Sequence, residues 1–386
     1  MGHIQKNKIC LLFCLIIIFS GSLYAQQIKV GLFPDKDVKS LIFSVVEGNY
    51  DLYLNNNYIK QLMPGEIYLL SVTDNDFILS DGEKQYHRIT NVELKGTSVS
   101  NVFQLKLTSP ATYSSDFDDD LLIDKINNDL VIVNRVDLNK YIAGVIEAEG
   151  GGNAPFEYYK AQAILVRTYA LRNTYRHASD GYNVCNNEHC QAYKGRSLLN
   201  KQIHGAVFET VNLVLTDTSG NLITAPFHSN CGGSTSTSEM VWQTHNSCLY
   251  SVKDPFCTGS KNATWTKQIS LDNWMEYLRR NGFSRSDIKS EKLTFLHDQR
   301  VKNYVAGHSE IPFRKIREDL GLKSAFFNVE AKGKYVLLSG RGYGHGVGLC
   351  QEGAMEMARV GYCYTDILHF YFQNVKILLF SAGAKQ

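Results

Sequence analysis

Asp137-Leu138-Asn139-Lys140-Tyr141-Ile142-Ala143-Gly144-Val145-Ile146-Glu147-Ala148-Glu149, closed by Gly150-Gly151-Gly152, is the stretch on which the reading of the chain turns. Leu138, Tyr141, Ile142, Val145 and Ile146 recur at i, i+3, i+4, i+7 and i+8, the pattern of a helix with one apolar face. Asp137 stands where a side-chain oxygen caps the first free N–H groups, and the glycines stop the helix. At ~100° per residue, Glu149 falls within the apolar stripe and Glu147 points the other way. A carboxyl on a buried face beside an open glycine turn suits an acid that must stay protonated. The same position also suits a plain buried hydrogen bond.

Outward from this helix, Pro155 is placed for the first turn of a second one, expected over 156–177, with Lys160, Gln162 and Arg167 along it. Upstream, 121–126 and 130–133 around Asn127-Asn128 read as a hairpin feeding the Glu149 helix. Residues 28–108 read as short strands between turns. The acidic run Asp116-Phe117-Asp118-Asp119-Asp120 is expected to be a solvated loop. Beyond the second helix, strands are expected within 209–228, then a small-residue loop at 229–234. Helices near 270–281 and 311–320 follow, then strands at 326–329 and 335–338. A glycine-rich loop, 340–348, leads into a helix over 349–359. The fold class is α+β: a small N-terminal β module over 26–115, then a larger mixed domain over 116–386 with a cleft.

Residues 1–25 read as a cleaved export signal. Lys6 and Lys8 precede an apolar run from Ile9 to Phe19, and Ser22-Leu23-Tyr24-Ala25 offers a cleavage site. The run is well short of the ~20 residues that span a bilayer. The expected location is the periplasm or cell envelope. Without Lys6 and Lys8, the 40 Lys+Arg of the whole chain fall to 38, equal to the 38 Asp+Glu. That balance argues against nucleic acid as a partner. Cys10 and Cys14 leave with the signal, and Cys185, Cys190, Cys231, Cys248, Cys257, Cys350 and Cys363 remain. An odd number leaves at least one thiol or ligand over.

Several chemistries are excluded by pattern. The 340–348 loop lacks both the dinucleotide spacing and the Gly-Lys-Ser/Thr of a phosphate loop, and no His-Glu-x-x-His or Gly-x-Ser-x-Gly occurs. His345, among five glycines, is a candidate site residue or a structural one. Cys185, His189 and Cys190, with His177 nearby, suit a structural zinc or, for the two cysteines, a disulfide. Cys231 with His228 or His345 is a weaker candidate for a thiol nucleophile.

Taken together, several segments resemble the stage II sporulation protein D (SpoIID/LytB) family. They are 137–149, Lys160-Ala161-Gln162-Ala163 with Arg167-Thr168-Tyr169-Ala170, Cys190-Gln191-Ala192-Tyr193, His228-Ser229-Asn230-Cys231-Gly232-Gly233, and 340–354 with Gln351-Glu352-Gly353-Ala354. They cover residues ~120 to 380 in order. The resemblance implies a lytic transglycosylase that cuts peptidoglycan glycan strands lacking stem peptides, to leave 1,6-anhydroMurNAc ends. Glu149 matches the catalytic glutamate. Lys160, Gln162, Arg167, Gln191, Ser229, His345 and Gln351 take supporting or substrate-binding places, with Lys160 and Arg167 orienting the acid or sugar. No cofactor is required for that chemistry, although some members bind zinc near the region of Cys185 and Cys190. An amidase that strips the stem peptides is an expected partner. A wall-binding role that enhances another hydrolase is the alternative attached to the family. One departure is visible: the family commonly has Glu-Met-Pro where this chain has Glu149-Gly150-Gly151.

Overall fold

The computed structural model describes residues 26–380 apart from 74–75, 111–112, 127–128 and 199. The expected export signal and the Asn127-Asn128 turn lie outside the described residues. The fold is mixed α+β. Two sheets dominate the first part of the chain. A seven-stranded sheet runs Val184–Cys185, Gln27–Leu32, Asp129–Asp137, Asp120–Ile126, Asn91–Gly96, Tyr50–Leu54, Asn57–Leu62. A six-stranded antiparallel sheet runs Ser114–Asp118, Val102–Ser109, Ser40–Glu47, Ile67–Val72, Phe77–Ser80, Gln85–Ile89.

Alternation explains these strands: Leu41, Phe43 and Val45 point into the core while their neighbours face outward. The strands on either side of residue 115 share the seven-stranded sheet, and one apolar core extends from Ile28 to Val375. A line of rings, Tyr50, Phe103, Phe117, Tyr193 and Tyr141, carries that core to the central helix, with successive centroids 6.4, 5.5, 6.1 and 5.1 Å apart.

The helices are α1 (Leu138–Gly150), α2 (Phe156–Arg172), α3 (Lys201–Glu209), α4 (Ser238–Trp242), α5 (Leu271–Arg280), α6 (Phe313–Leu320), α7 (Gln351–Arg359) and α8 (Tyr364–Tyr371). In α1 the Asp137 carboxylate accepts from the N–H groups of Asn139 (2.8 Å) and Lys140 (3.2 Å), and the chain leaves at Gly151 with φ of 71°. Buried α2 packs against α1, α3, α7 and α8. It stops at Arg172, short of the expected 177, because the Asn173 side chain takes the Tyr169 carbonyl (2.8 Å) and the chain turns. None of the helices among the described residues is long and apolar enough to cross a membrane.

The acidic run is not a solvated loop. It forms strand ends in which Phe117 enters the core and the carboxylates of Asp118 and Asp120 are buried. Cations make that tolerable: Arg135 binds Asp120 at 2.6 Å, Lys140 binds Asp119 at 2.6 Å, and Arg196 lies 3.5 Å from Asp118. Residues 265–338 build a second core around Trp265, Trp274, Tyr304, Phe313 and Phe327, with Thr264–Ser270, Tyr335–Arg341 and Phe327–Lys332 as its sheet. Two further pairings bring distant chain together. Phe227–His228 runs parallel to Leu349–Cys350, and Leu213–Asp217 is antiparallel to Val375–Leu379.

Candidate active site

Glu149 sits on the last turn of α1, half-buried. Its Oε1 accepts the backbone N–H of Ala192 at 3.0 Å. Among the described residues no group hydrogen-bonds Oε2. Burial raises the carboxyl above its ordinary 4.5, and the exposed Glu188 adds to the shift, while the Ala192 N–H and Lys194 oppose it. Glu147, two residues earlier, is held by the Ser197 hydroxyl.

The loop carrying Ala192 is seated against α1 by close packing. Tyr193 stacks obliquely on Tyr141 and donates its hydroxyl to Asn134 at 2.9 Å. Tyr141 donates to Oε1 of Gln191 at 3.1 Å. Gly144 leaves the room, because a Cβ there would lie 2.7 Å from the Tyr193 ring and closer still to the Gly195 carbonyl.

α2 and the start of α7 meet the end of α1. The Tyr158 hydroxyl lies 2.7 Å from where a Cβ on Gly150 would stand, and Gln351, by hydrogen bonding, and the charge of Glu149 both act on its ionisation. Gln162 stands one turn further along α2, on the same face. This part of the chain holds buried polar atoms that have no hydrogen-bond partner among the described residues: the Tyr158 hydroxyl, both amide atoms of Gln162, and Nε2 of Gln191, Gln351 and His228. Such groups are costly unless water or a ligand satisfies them, and sugar hydroxyls match amides and phenols well.

The loop after Phe227–His228 reaches the start of α7, since Glu352 donates its N–H to the Ser229 carbonyl at 3.0 Å. His228 donates Nδ1–H to the Val347 carbonyl at 3.1 Å, and its ring lies 5.4 Å from that of His345. Burial keeps both imidazoles neutral: His228 falls well below 6.5, and His345 is lowered to about 4 with Arg317 adding to the effect. Trp242 approaches His345 at 5.5 Å, and a cavity of about 150 Å³ opens there among Arg300, Arg314 and Arg317.

Gln191 precedes the Ala192 donor and Gln351 meets Tyr158, while Ser229 adjoins the start of α7 through Glu352, and His345 lies apart with His228 and Trp242 at the small cavity. Lys160 and Arg167 do not orient the acid. The Lys160 ammonium is paired with Glu157 and Glu209, each at 2.8 Å, and lies over the Phe156 ring. The Arg167 guanidinium, 1% exposed, donates to the carbonyls of Thr210 (2.7 Å) and Leu213 (3.1 Å) and to Asn139. Both cations hold α2 to neighbouring elements. Sequence reasoning passed over Tyr158, although its place four residues before Gln162 on one helix is a usable signal. The Ala192 donor is a backbone group and leaves no such trace.

His177, Cys185, His189 and Cys190 form a cluster whose ligand atoms lie within 4.8 Å of one another. Nδ1 of His177 is 2.8 Å from Asp180, leaving Nε2 toward Cys190 at 3.5 Å. Two thiols and two imidazoles, one backed by a carboxylate, fit tetrahedral zinc. Cys185 and Cys190 are free thiols. Cys231 does not face a histidine: its sulfur is turned to Cys257 and Asp254.

Residues 126–216, which include α1, α2, the histidine–cysteine cluster and α3, match the family model described as stage II sporulation protein. The chain is 32% identical over 263 residues to stage II sporulation protein D of Bacillus subtilis (strain 168), covering 64% of this chain and 75% of that protein. It is 28% identical over 265 residues to an uncharacterized protein of Brachyspira hyodysenteriae, covering 67% and 72%. It is 27% identical over 289 residues to the amidase enhancer of Bacillus subtilis, covering 61% of this chain and 40% of that protein.

Proposed function

The chain belongs to the stage II sporulation protein D family, and from that premise we propose that it is an exported lytic transglycosylase of the bacterial cell envelope, acting on peptide-free peptidoglycan glycan strands. The observation that carries the reading is Glu149: one oxygen fixed by a backbone donor, the other without a hydrogen bond among the described residues, and the carboxyl raised by burial. In the protonated form it gives its proton to the glycosidic oxygen as the bond to C1 of MurNAc breaks. The resulting carboxylate then takes the proton of the sugar's own C6 hydroxyl as that oxygen closes on C1. No water is consumed, and the product is a 1,6-anhydroMurNAc end. One carboxyl thus serves as acid and then base, where hydrolysis normally uses two.

Gln162, Gln191, Gln351 and Tyr158 are assigned to the sugar hydroxyls and amides, and Ser229 and His345 to the cleft wall. A zinc ion at His177, Cys185, His189 and Cys190 would be structural, cementing the loop that presents the Ala192 N–H. An amidase would supply the peptide-free strand. The amidase enhancer relative supports a second reading, in which the chain binds wall glycan and assists such an amidase.

The test is incubation of wild type and Glu149→Gln with peptide-free strands, followed by mass spectrometry of the ends. We expect anhydro ends from wild type and a loss of at least ~10²-fold in the variant. Reducing ends would instead indicate hydrolysis. No cleavage by either protein, with glycan retained and amidase stimulated, would establish the second reading.

A further inference from the structure

A second cluster lies in the core, built from parts of the chain that the mechanism above does not use. Cys231 follows Phe227–His228, Asp254 and Cys257 share one loop, and Cys350 ends the short strand before α7. All four are buried, and their ligand atoms lie within 4.8 Å of one another. The Cys231 sulfur is 3.4 Å from that of Cys257 and 3.2 Å from Oδ2 of Asp254.

Three features set this group apart from packed thiols. First, Asp254 is 1% exposed, and among the described residues no cation pairs with it; its hydrogen bonds come from the Tyr371 hydroxyl (2.9 Å), the Phe256 N–H (2.9 Å) and the Cys231 thiol (3.2 Å). A carboxylate in such surroundings calls for a positive partner. Second, two backbone N–H groups are aimed at sulfur: Cys231 N–H at Cys350 (3.2 Å) and Gly233 N–H at Cys257 (3.3 Å). Donors of that kind favour thiolate over thiol. Third, Gly353 keeps the carboxylate's place open, since a Cβ there would collide with Oδ2 of Asp254 and with the Tyr371 hydroxyl.

We propose that Cys231, Asp254, Cys257 and Cys350 form a metal centre of three thiolates and one carboxylate, distinct from the His177–Cys190 cluster and suited to a tetrahedral thiophilic divalent cation, zinc foremost. Zn–S bonds of ~2.3 Å in a tetrahedron place sulfurs ~3.8 Å apart, near the observed Cys231–Cys257 separation, whereas a disulfide would require ~2.05 Å. Binding replaces the thiol protons, which pass to solvent. Three thiolates and a carboxylate outweigh a divalent charge, and Arg300, donating to the carbonyls of Cys231 (2.7 Å) and Ser234 (2.8 Å), stands against the excess. The ion would pin the loop bearing Ser229 to the segment bearing Gln351, so both are held by one bonded centre.

The test reads metal content and needs no glycan, so its failure is separable from failure of the enzymatic reading. The full mature chain and its Cys185→Ser/Cys190→Ser variant are purified without chelator, and zinc is measured by plasma emission and by mercurial release to a chromogenic chelator. We expect the double variant to retain one equivalent of zinc per chain. Its cobalt derivative should show thiolate-to-cobalt charge-transfer bands, and adding Cys257→Ser should abolish both signals. Should that triple variant fail to fold, the zinc and cobalt signals of the double variant decide alone. A metal-free double variant overturns the proposal, whether its intact mass shows a disulfide or its cysteines all alkylate on denaturation.

Discussion

Glu149 is a carboxyl whose proton is held more tightly in the folded chain than in the unfolded one. Its stabilising effect is therefore complete below the ordinary value of 4.5 and is lost as pH rises through the raised folded value. Glu149→Gln stays neutral throughout, so its melting temperature should match wild type in acid and exceed it at neutral pH. Parallel thermal melts across that range check this. Cleavage by wild type should fall over the same upper limb, because the step begins from the protonated acid. Arg167 and Lys160, about two turns apart on α2 and similar in charge, should differ in what their truncation costs. Arg167→Ala strips donors from the buried Thr210 carbonyl and the part-buried Leu213 carbonyl and should cost about 1–3 kcal/mol in denaturant melts. Lys160→Ala loses partly exposed ion pairs, should cost about 1 kcal/mol or less, and should leave cleavage intact. The half-buried place of Glu149 on α1 was legible in the sequence because an acid inside an apolar period is unusual. The two cations were misplaced because spacing along α2 states which face a residue occupies, and not which neighbour meets that face.

At the scale of elements, α1 is the piece the sequence describes most completely: its apolar period, the Asp137 cap and the glycine stop all have local causes. The acidic strand ends were illegible for the opposite reason. Their burial depends on Arg135, Lys140 and Arg196, which come from other elements. Gly144 shows a local residue acting at a distance. Gly144→Ala would improve helix propensity and yet push the Tyr193 ring and the Gly195 carbonyl away from α1. We expect a net destabilisation of about 1–3 kcal/mol, together with a loss of cleavage beyond what residual folding explains, since the Ala192 donor rides on the same loop. Comparing kcat with the folded fraction in one preparation separates the two effects.

On the scale of the whole molecule, the β-rich start of the chain and the helical part are joined through a common sheet. Gln27–Leu32 pairs with Asp129–Asp137 along its length, and Asn91–Gly96 pairs with Asp120–Ile126. A chain beginning at residue 116 would expose both flanks of the 120–137 hairpin as open edges. It should aggregate or show no cooperative melt by circular dichroism, whereas the chain from residue 26 should melt cooperatively. The alternating pattern of 28–108 announced strands, but the pairing across residue 115 was hidden because register between remote strands leaves no mark in either one alone. The second core around Trp274 and Tyr304 was legible only as separate helices and strands.

The Glu157 carboxylate accepts the backbone N–H of Tyr364, 207 residues later in the chain, and Gln351 arrives beside Tyr158 from the same late segment. Because a polypeptide is made amino end first, Glu149 is thus synthesised long before the late segment that packs near it. Contacts so remote form last. Until the final helices arrive, the carboxyl stands in water as an ordinary side chain that loses its proton readily. Maturation is then a matter of timing as well as shape: a nascent or prematurely terminated chain carries the Glu149 carboxyl without all the surroundings that raise it.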